Sequence, residues 1–298
     1  MNLLTSTLIT ATLLSAAAAR ADEVPAPNAD KRAVQLAVQR DARHHQSAAA
    51  AVSLPVGRSA WVQAGLGQSR SQDPVDGTRY RPRQASVGGG VAGRRWQATL
   101  TASQRRDGAA LRQTDWAAAA DWQPTDGINV GLDAVRREAR SRGVSRTAGG
   151  TATPVEQRLR GHGVGLHAAV ELTPRVSVYG ATLHNRYTTR TQAAASGGGG
   201  LLAGVPLLQN RVSAVNREEA AADRSQQLGA TWRVSDRVAL NGEVLHDRLH
   251  DGGTLRSVQL KAAVDAGAGW TLTPGLGRSR GPQGEGTTYG LLGARYGW

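Results

Sequence analysis

The last stretch of the chain, Thr288-Tyr-Gly-Leu-Leu-Gly-Ala-Arg-Tyr-Gly-Trp298, alternates between two kinds of side chain. Every second position from Leu292 to Trp298 is apolar or aromatic, whereas Gly293 and Arg295 lie between them. A period of two is the geometry of a β-strand, because successive side chains point to opposite faces. The stretch therefore predicts a strand with one apolar face and one small or charged face.

A strand that ends on an aromatic residue resembles the closing strand of bacterial outer-membrane β-barrels. The resemblance implies an outer-membrane location and strands whose side chains alternate between lipid and lumen. It also implies short periplasmic turns, longer external loops and both chain termini on the periplasmic side.

The same alternation recurs throughout residues 58–298, as in Ala60, Val62, Ala64 and Leu66. It divides this part of the chain into about twelve segments of roughly 9–13 residues, the length that a tilted membrane-spanning strand needs. Short predicted turns alternate with longer connections, of which 136–158 and 190–224 are the longest. The predicted fold is an all-β, transmembrane, antiparallel up-and-down β-barrel of about 12 strands.

The N-terminal 57 residues lie outside this pattern. An apolar run before Ala19-Arg20-Ala21 predicts a cleaved signal peptide at residues 1–21. Residues 22–57 are expected to form a periplasmic or lumenal segment. Within it, Asp30 to Ala51 is predicted to be a weak helix, with Asp30 as its N-cap.

The charge and cysteine content exclude several classes of protein. The net charge of +13 comes almost entirely from arginine, but no nucleic-acid-binding motif accompanies it, so no nucleic acid is expected as a partner. The chain has no cysteine, which excludes disulfides and thiolate metal sites. His44 and His45 are adjacent and would point to different sides of a helix, so they make a poor metal pair. No cofactor or metal is expected.

The face opposite the apolar one is expected to line the lumen. Its pore-lining candidates are Arg95, Asp115, Asp133, Glu171, Arg233, Glu243, Lys261 and Arg295. Both signs occur, so net charge by itself does not predict an anion-selective pore. Within the long connection 190–224, the candidates for a constriction are Arg211, Arg217, Glu218 and Glu219. Glycines at inward positions, such as Gly65, Gly88 and Gly293, predict a wall that is nearly bare backbone.

A basic cluster lies in and beside the connection 136–158. It contains Arg136, Arg140, Arg142, Arg146 and Arg160. Arginine pairs well with phosphate, so these residues are candidates for an outer rim that contacts lipopolysaccharide. The alternative is that they steer anionic solutes toward a pore.

Three functions are compatible with this pattern. The leading one is a channel for small polar or anionic solutes. A structural or export-assembly barrel with a plugged lumen is the alternative, which resembles an autotransporter translocator in having a helix ahead of about twelve strands. An outer-membrane lipid hydrolase is the third, but His246 is predicted to face Gln226 on the next strand, with no serine opposite. No catalytic residue is therefore assigned, and the protein is not expected to be an enzyme.

Overall fold

The computed structural model describes residues 32–41, 46–72, 79–108, 110–146, 152–193, 222–249, 253–281 and 286–298. These residues form fifteen strands. Their bounds are β1 Ala33–Asp41, β2 Gln46–Val56, β3 Ala60–Gln72, β4 Arg79–Tyr80, β5 Arg83–Ala92, β6 Trp96–Asp107, β7 Leu111–Thr125, β8 Ile128–Arg146, β9 Ala152–Thr173, β10 Val176–Ala193, β11 Ala222–Ser235, β12 Val238–Leu249, β13 Thr254–Gly267, β14 Trp270–Arg280 and β15 Gly286–Gly297. The predicted signal peptide lies outside the described residues.

The strands form one closed antiparallel barrel. Each barrel strand pairs with its neighbours in the chain, and β1 pairs with β15 to close the ring. The two-residue β4 pairs only with the end of β3, so fourteen strands make up the barrel. Closure leaves no unpaired sheet edge, as a membrane-spanning sheet requires.

The prediction of about twelve strands is wrong by two, and the predicted helix is wrong. The twelve predicted segments correspond to β3 and β5–β15, but part of the predicted helix forms β1 and β2 instead. The helix was predicted because Val34, Ala37, Val38 and Ala42 lie near one face at helical spacing. In the structure, the backbone of β1 is hydrogen-bonded to β15 and β2, and the backbone of β2 is also hydrogen-bonded to β3. Two strands therefore separate β15 from β3, which would be neighbours in a closed barrel that began at residue 58.

The two ends of the barrel differ. Short connections at 57–59, 93–95, 126–127, 174–175, 236–237 and 268–269 define what we call the turn end; the other connections lie at the loop end. Arg32 and Trp298 exchange backbone hydrogen bonds at the turn end, so the barrel begins and finishes there. Gly127 and Gly267 both have φ of 81°, a left-handed conformation that glycine adopts without strain.

The outer face of the strands is apolar. Leu66, Leu132 and Leu276 keep 60–70% of their surface exposed, as expected for side chains that meet lipid rather than a protein core. Aromatic side chains lie on this face at the turn end: Trp96, Trp122, Trp232, Trp270, Tyr296 and Trp298. Such a girdle marks a membrane–water interface. No helix among the described residues is long and apolar enough to cross a membrane.

Candidate functional site: the barrel lumen

The inner faces of the strands divide the lumen into two walls. From β7 to β13 the inward side chains are mostly polar and many are buried, among them Asp121, Arg137, Gln227, Glu243 and Lys261. We call this the polar wall. On β15, β1, β2 and β3 the inward residues are mostly small: Gly293, Ala37, Ala49, Ala51, Gly65 and Gly67. We call these six residues the small-residue wall.

A histidine holds two carboxylates together in the polar wall. His167 on β9 lies with Nδ1 2.7 Å from Asp133 and Nε2 2.6 Å from Asp121. An imidazole that donates from both nitrogens carries a positive charge. The group is therefore an anion–cation–anion cluster, and strand pairing creates it: β7 and β8 place Asp121 opposite Gly131, and β9 places His167 opposite the same glycine.

A second ion pair lies nearer the loop end. Arg137 donates from Nε to Asp115 across 2.8 Å, and the two side chains are only 10% and 18% exposed. Gln113 donates to the other oxygen of the same carboxylate at 2.6 Å. Asp115 and Arg137 face each other directly on β7 and β8, so the pair follows from the register.

A third cluster surrounds Glu243 on β12. Its carboxylate accepts hydrogen bonds from Tyr179 at 2.9 Å and from Gln227 and Gln259 at 2.7 Å each. Glu243 is 3% exposed, so this carboxylate is solvated by protein donors in place of water. These three clusters thus satisfy their charges within the wall.

Several inward glycines make room for a ring on the neighbouring strand. A Cβ added at Gly90 would overlap the Trp61 ring, and one at Gly277 would overlap the Tyr289 ring. Gly229 accommodates Tyr179 in the same way. These glycines are therefore covered by side chains, and the predicted bare wall is restricted to the small-residue wall.

The pore-lining candidates fall into two groups. Asp115, Asp133, Glu243 and Lys261 lie on the inner face within the polar wall. Glu171, Arg233 and Arg295 face inward close to the turn end, and Arg95 lies in a turn, where it donates to the Pro124 carbonyl at 3.1 Å. The constriction candidates Arg211, Arg217, Glu218 and Glu219 lie outside the described residues.

The candidates for a basic outer rim lie on the outer face of the barrel and not in the lumen. Arg136, Arg140, Arg142 and Arg160 are exposed there towards the loop end, and the side chain of Arg146 lies outside the described part. Arg140, Arg142 and Arg158 all contact Glu156. Glu156 lies at the loop end of β9. Hydrogen bonds from Arg140 and Arg158 lower the pKa of Glu156 to about 2.

His167 and Asp121 were expected on the inner face but were not among the pore-lining candidates, and the uncharged partners of Glu243 were not considered. Alternation places them inward, but nothing local shows that they touch. Among the described residues, no group of three or more His, Cys, Asp or Glu side chains has metal-binding geometry. The predicted pairing of His246 with Gln226 is confirmed, and both residues lie on the outer face.

The fold of the barrel is similar to the folds of solved structures, three of which are described below. The translocator domain of the autotransporter NalP from Neisseria meningitidis is 12% identical, with a TM-score of 0.52, and the match covers 98% of this chain and 96% of that one. A Pseudomonas aeruginosa FadL homologue is 10% identical, with a TM-score of 0.55 and coverage of 91% and 92%. The CymD monoaromatic hydrocarbon channel is 9% identical, with a TM-score of 0.54 and coverage of 90% and 87%.

No protein-family model and no curated protein matches the sequence. At these identities the likeness is one of fold. Together with the closed barrel and its apolar outer face, it shows that the chain has the fold of a bacterial outer-membrane β-barrel.

Proposed function

We propose that the protein is an outer-membrane channel for small polar solutes, which pass beside the small-residue wall. The observation that carries this proposal is a difference in exposure inside the barrel. Gln35, Ala37, Ala49 and Gln63 point inward and are still exposed, whereas the side chains of the polar wall are largely buried. Water-accessible inward side chains are expected along a solute path.

The charge distribution favours uncharged polar solutes over anions. His167, Arg137 and Lys261 share the polar wall with several carboxylates, so the wall presents no excess of positive charge. A strong anion preference would need unpaired basic side chains along the path. We expect weak ion selectivity.

The proposed orientation places the turn end, with both ends of the barrel sequence, in the periplasm. The loop end then faces outward, where the outer face carries arginines that suit the phosphates of the outer leaflet. We assign no catalytic residue: both nitrogens of His167 contact carboxylates, and His246 faces Gln226.

Planar-bilayer recording of the refolded protein tests the channel. We expect discrete conductance steps, and we expect Ala49→Trp, which adds a large ring to the small-residue wall, to reduce their size. Ala50→Trp is the matched control, because the next residue along β2 points to lipid. Absence of steps in the wild-type protein would contradict the channel and favour a plugged export-assembly barrel. Equal conductance in Ala49→Trp and Ala50→Trp would contradict the proposed path.

A further inference from the structure

Exposed arginines surround the outer face of the barrel near the loop end. They occur on every barrel strand except β2 and β15: Arg40, Arg70, Arg83, Arg106, Arg112, Arg136, Arg140, Arg142, Arg158, Arg160, Arg186, Arg224, Arg248, Arg256, Arg278 and Arg280. The sequence cluster around the β8–β9 connection is only one part of this belt. The belt lies towards the opposite end from the aromatic girdle.

Strand register brings five of these arginines into one unbroken line. Arg83 pairs with Arg106, Arg106 with Arg112, Arg112 with Arg140, and Arg140 with Arg158. Four strand spacings make this arginine row roughly 19 Å long. Like charges directly opposite each other destabilise a sheet, so the row needs negative charge from elsewhere.

Among the described residues, outward-facing carboxylates lie at one end of the row only. On the outer face of the described strands, the carboxylates are Glu138 and Glu156, both in the β8–β9 hairpin. Glu156 contacts Arg140 and Arg158. Within the described part of the chain, no ion pair joins Arg83, Arg106 or Arg112 to a carboxylate.

The surface below the row indicates the kind of anion that binds. Towards the turn end, the same face of β5, β6 and β7 carries Val87, Leu100 and Trp116, which are 61%, 55% and 49% exposed. A soluble anion would meet the arginines alone, whereas a lipid with a phosphorylated headgroup would meet the arginines and place its acyl chains on the apolar surface below.

We propose that the arginine row binds the phosphates of a phosphorylated glycolipid, lipopolysaccharide, in the outer leaflet. Guanidinium groups pair with phosphate through two parallel hydrogen bonds, and neighbouring strands hold them at a spacing at which one phosphate can bridge two arginines. The apolar face below positions the acyl chains. Lipid phosphate then relieves the repulsion along the row. This inference does not depend on whether the lumen conducts.

Binding to the full-length refolded protein in detergent tests the row. The probes are lipopolysaccharide, the same lipopolysaccharide after enzymatic removal of its phosphates, and inorganic phosphate. We compare Arg106→Gln/Arg112→Gln with Arg94→Gln/Arg237→Gln, which removes the same charge from exposed turns at the other end. We expect the row variant to bind lipopolysaccharide about 100-fold more weakly, at about tenfold per lost charge-assisted contact, with the control unchanged.

Equal affinity in the row variant and the control would overturn the proposal. So would undiminished binding of the dephosphorylated probe, or competition by millimolar inorganic phosphate, which would indicate a soluble-anion site. The thermal unfolding midpoint is a second measurement, in which the loss of the arginines should not lower stability when lipid is absent. In lipid-free detergent the row variant should be at least as stable as the wild type, because repulsion is removed. Lipopolysaccharide should raise the midpoint of the wild type more than that of the variant; the reverse order would contradict the proposal.

Discussion

Replacing His167 by glutamine should destabilise the barrel through the two carboxylates that it holds. The cationic ring lies 2.6 Å from Asp121 and 2.7 Å from Asp133, and glutamine supplies no charge. Each hydrogen bond to a charged group contributes about 1.5–3 kcal/mol. Asp133 keeps 25% of its side chain exposed and regains some hydration, so we expect a loss of about 3 kcal/mol in the free energy of unfolding.

Denaturant unfolding of protein in detergent micelles, followed by tryptophan fluorescence, measures this loss. His246→Gln is the matched control, because His246 lies on the outer face and makes no carboxylate ion pair within the described residues. A second variant, His167→Gln/Asp121→Asn, removes the buried unpaired charge and should recover most of the loss.

The reasoning is refuted if His167→Gln and His246→Gln unfold at the same denaturant concentration. It is also refuted if the double variant is less stable than His167→Gln alone. Either result would mean that the histidine is not the counter-charge of the two carboxylates.

Three further predictions concern other parts of the barrel. Arg137→Met should lower the free energy of unfolding by about 3–5 kcal/mol, because Asp115 loses its counter-charge. Adding Asp115→Leu should restore much of this loss in the same assay. No recovery in the double variant would contradict the ion pair. Gly277→Val should lower the free energy of unfolding by about 1–3 kcal/mol, because the new side chain overlaps the Tyr289 ring. Gly242→Val is the control and should be nearly neutral, because the space around Gly242 is open. Equal losses in the two variants would contradict the ring packing. The pKa of Glu156 is about 2 in the folded protein, against an ordinary 4.5, so its stabilising effect is present above pH 4.5 and is lost as the pH falls towards 2. Glu156→Gln should therefore flatten the dependence of the unfolding free energy on pH in that range. An unchanged curve would count against the ion cluster.

Alternation in the sequence predicted strands where β3 and β5–β15 lie, and it predicted which side chains face lipid. It wrongly assigned 136–158 to a connection, because β8 and β9 pair through most of that range. A period of two is a local property, because each residue along a strand points away from its neighbours whatever the strand pairs with. The terminal strand from Gly286 to Gly297 shows this: Leu292 and Ala294 lie on the lipid face and Arg295 faces inward, as predicted.

The first two strands were missed although they also alternate: Val34, Leu36 and Val38 share one face of β1. Gln46–Val56 contains four consecutive alanines, which favour helix over strand in isolation. The conformation of both strands depends on hydrogen bonds to β15 and β3, which are distant in sequence. Closure of the sheet, rather than local preference, decides it.

The sequence by itself determined the class of fold and the division between lipid-facing and inward side chains. Only the tertiary structure decided which of those side chains meet. His167 lies 46 residues from Asp121 along the chain, and the arginine row draws one residue from each of five strands. Such contacts depend on register, which is set by the pairing of whole strands and by closure of the barrel, so no short stretch of sequence encodes them.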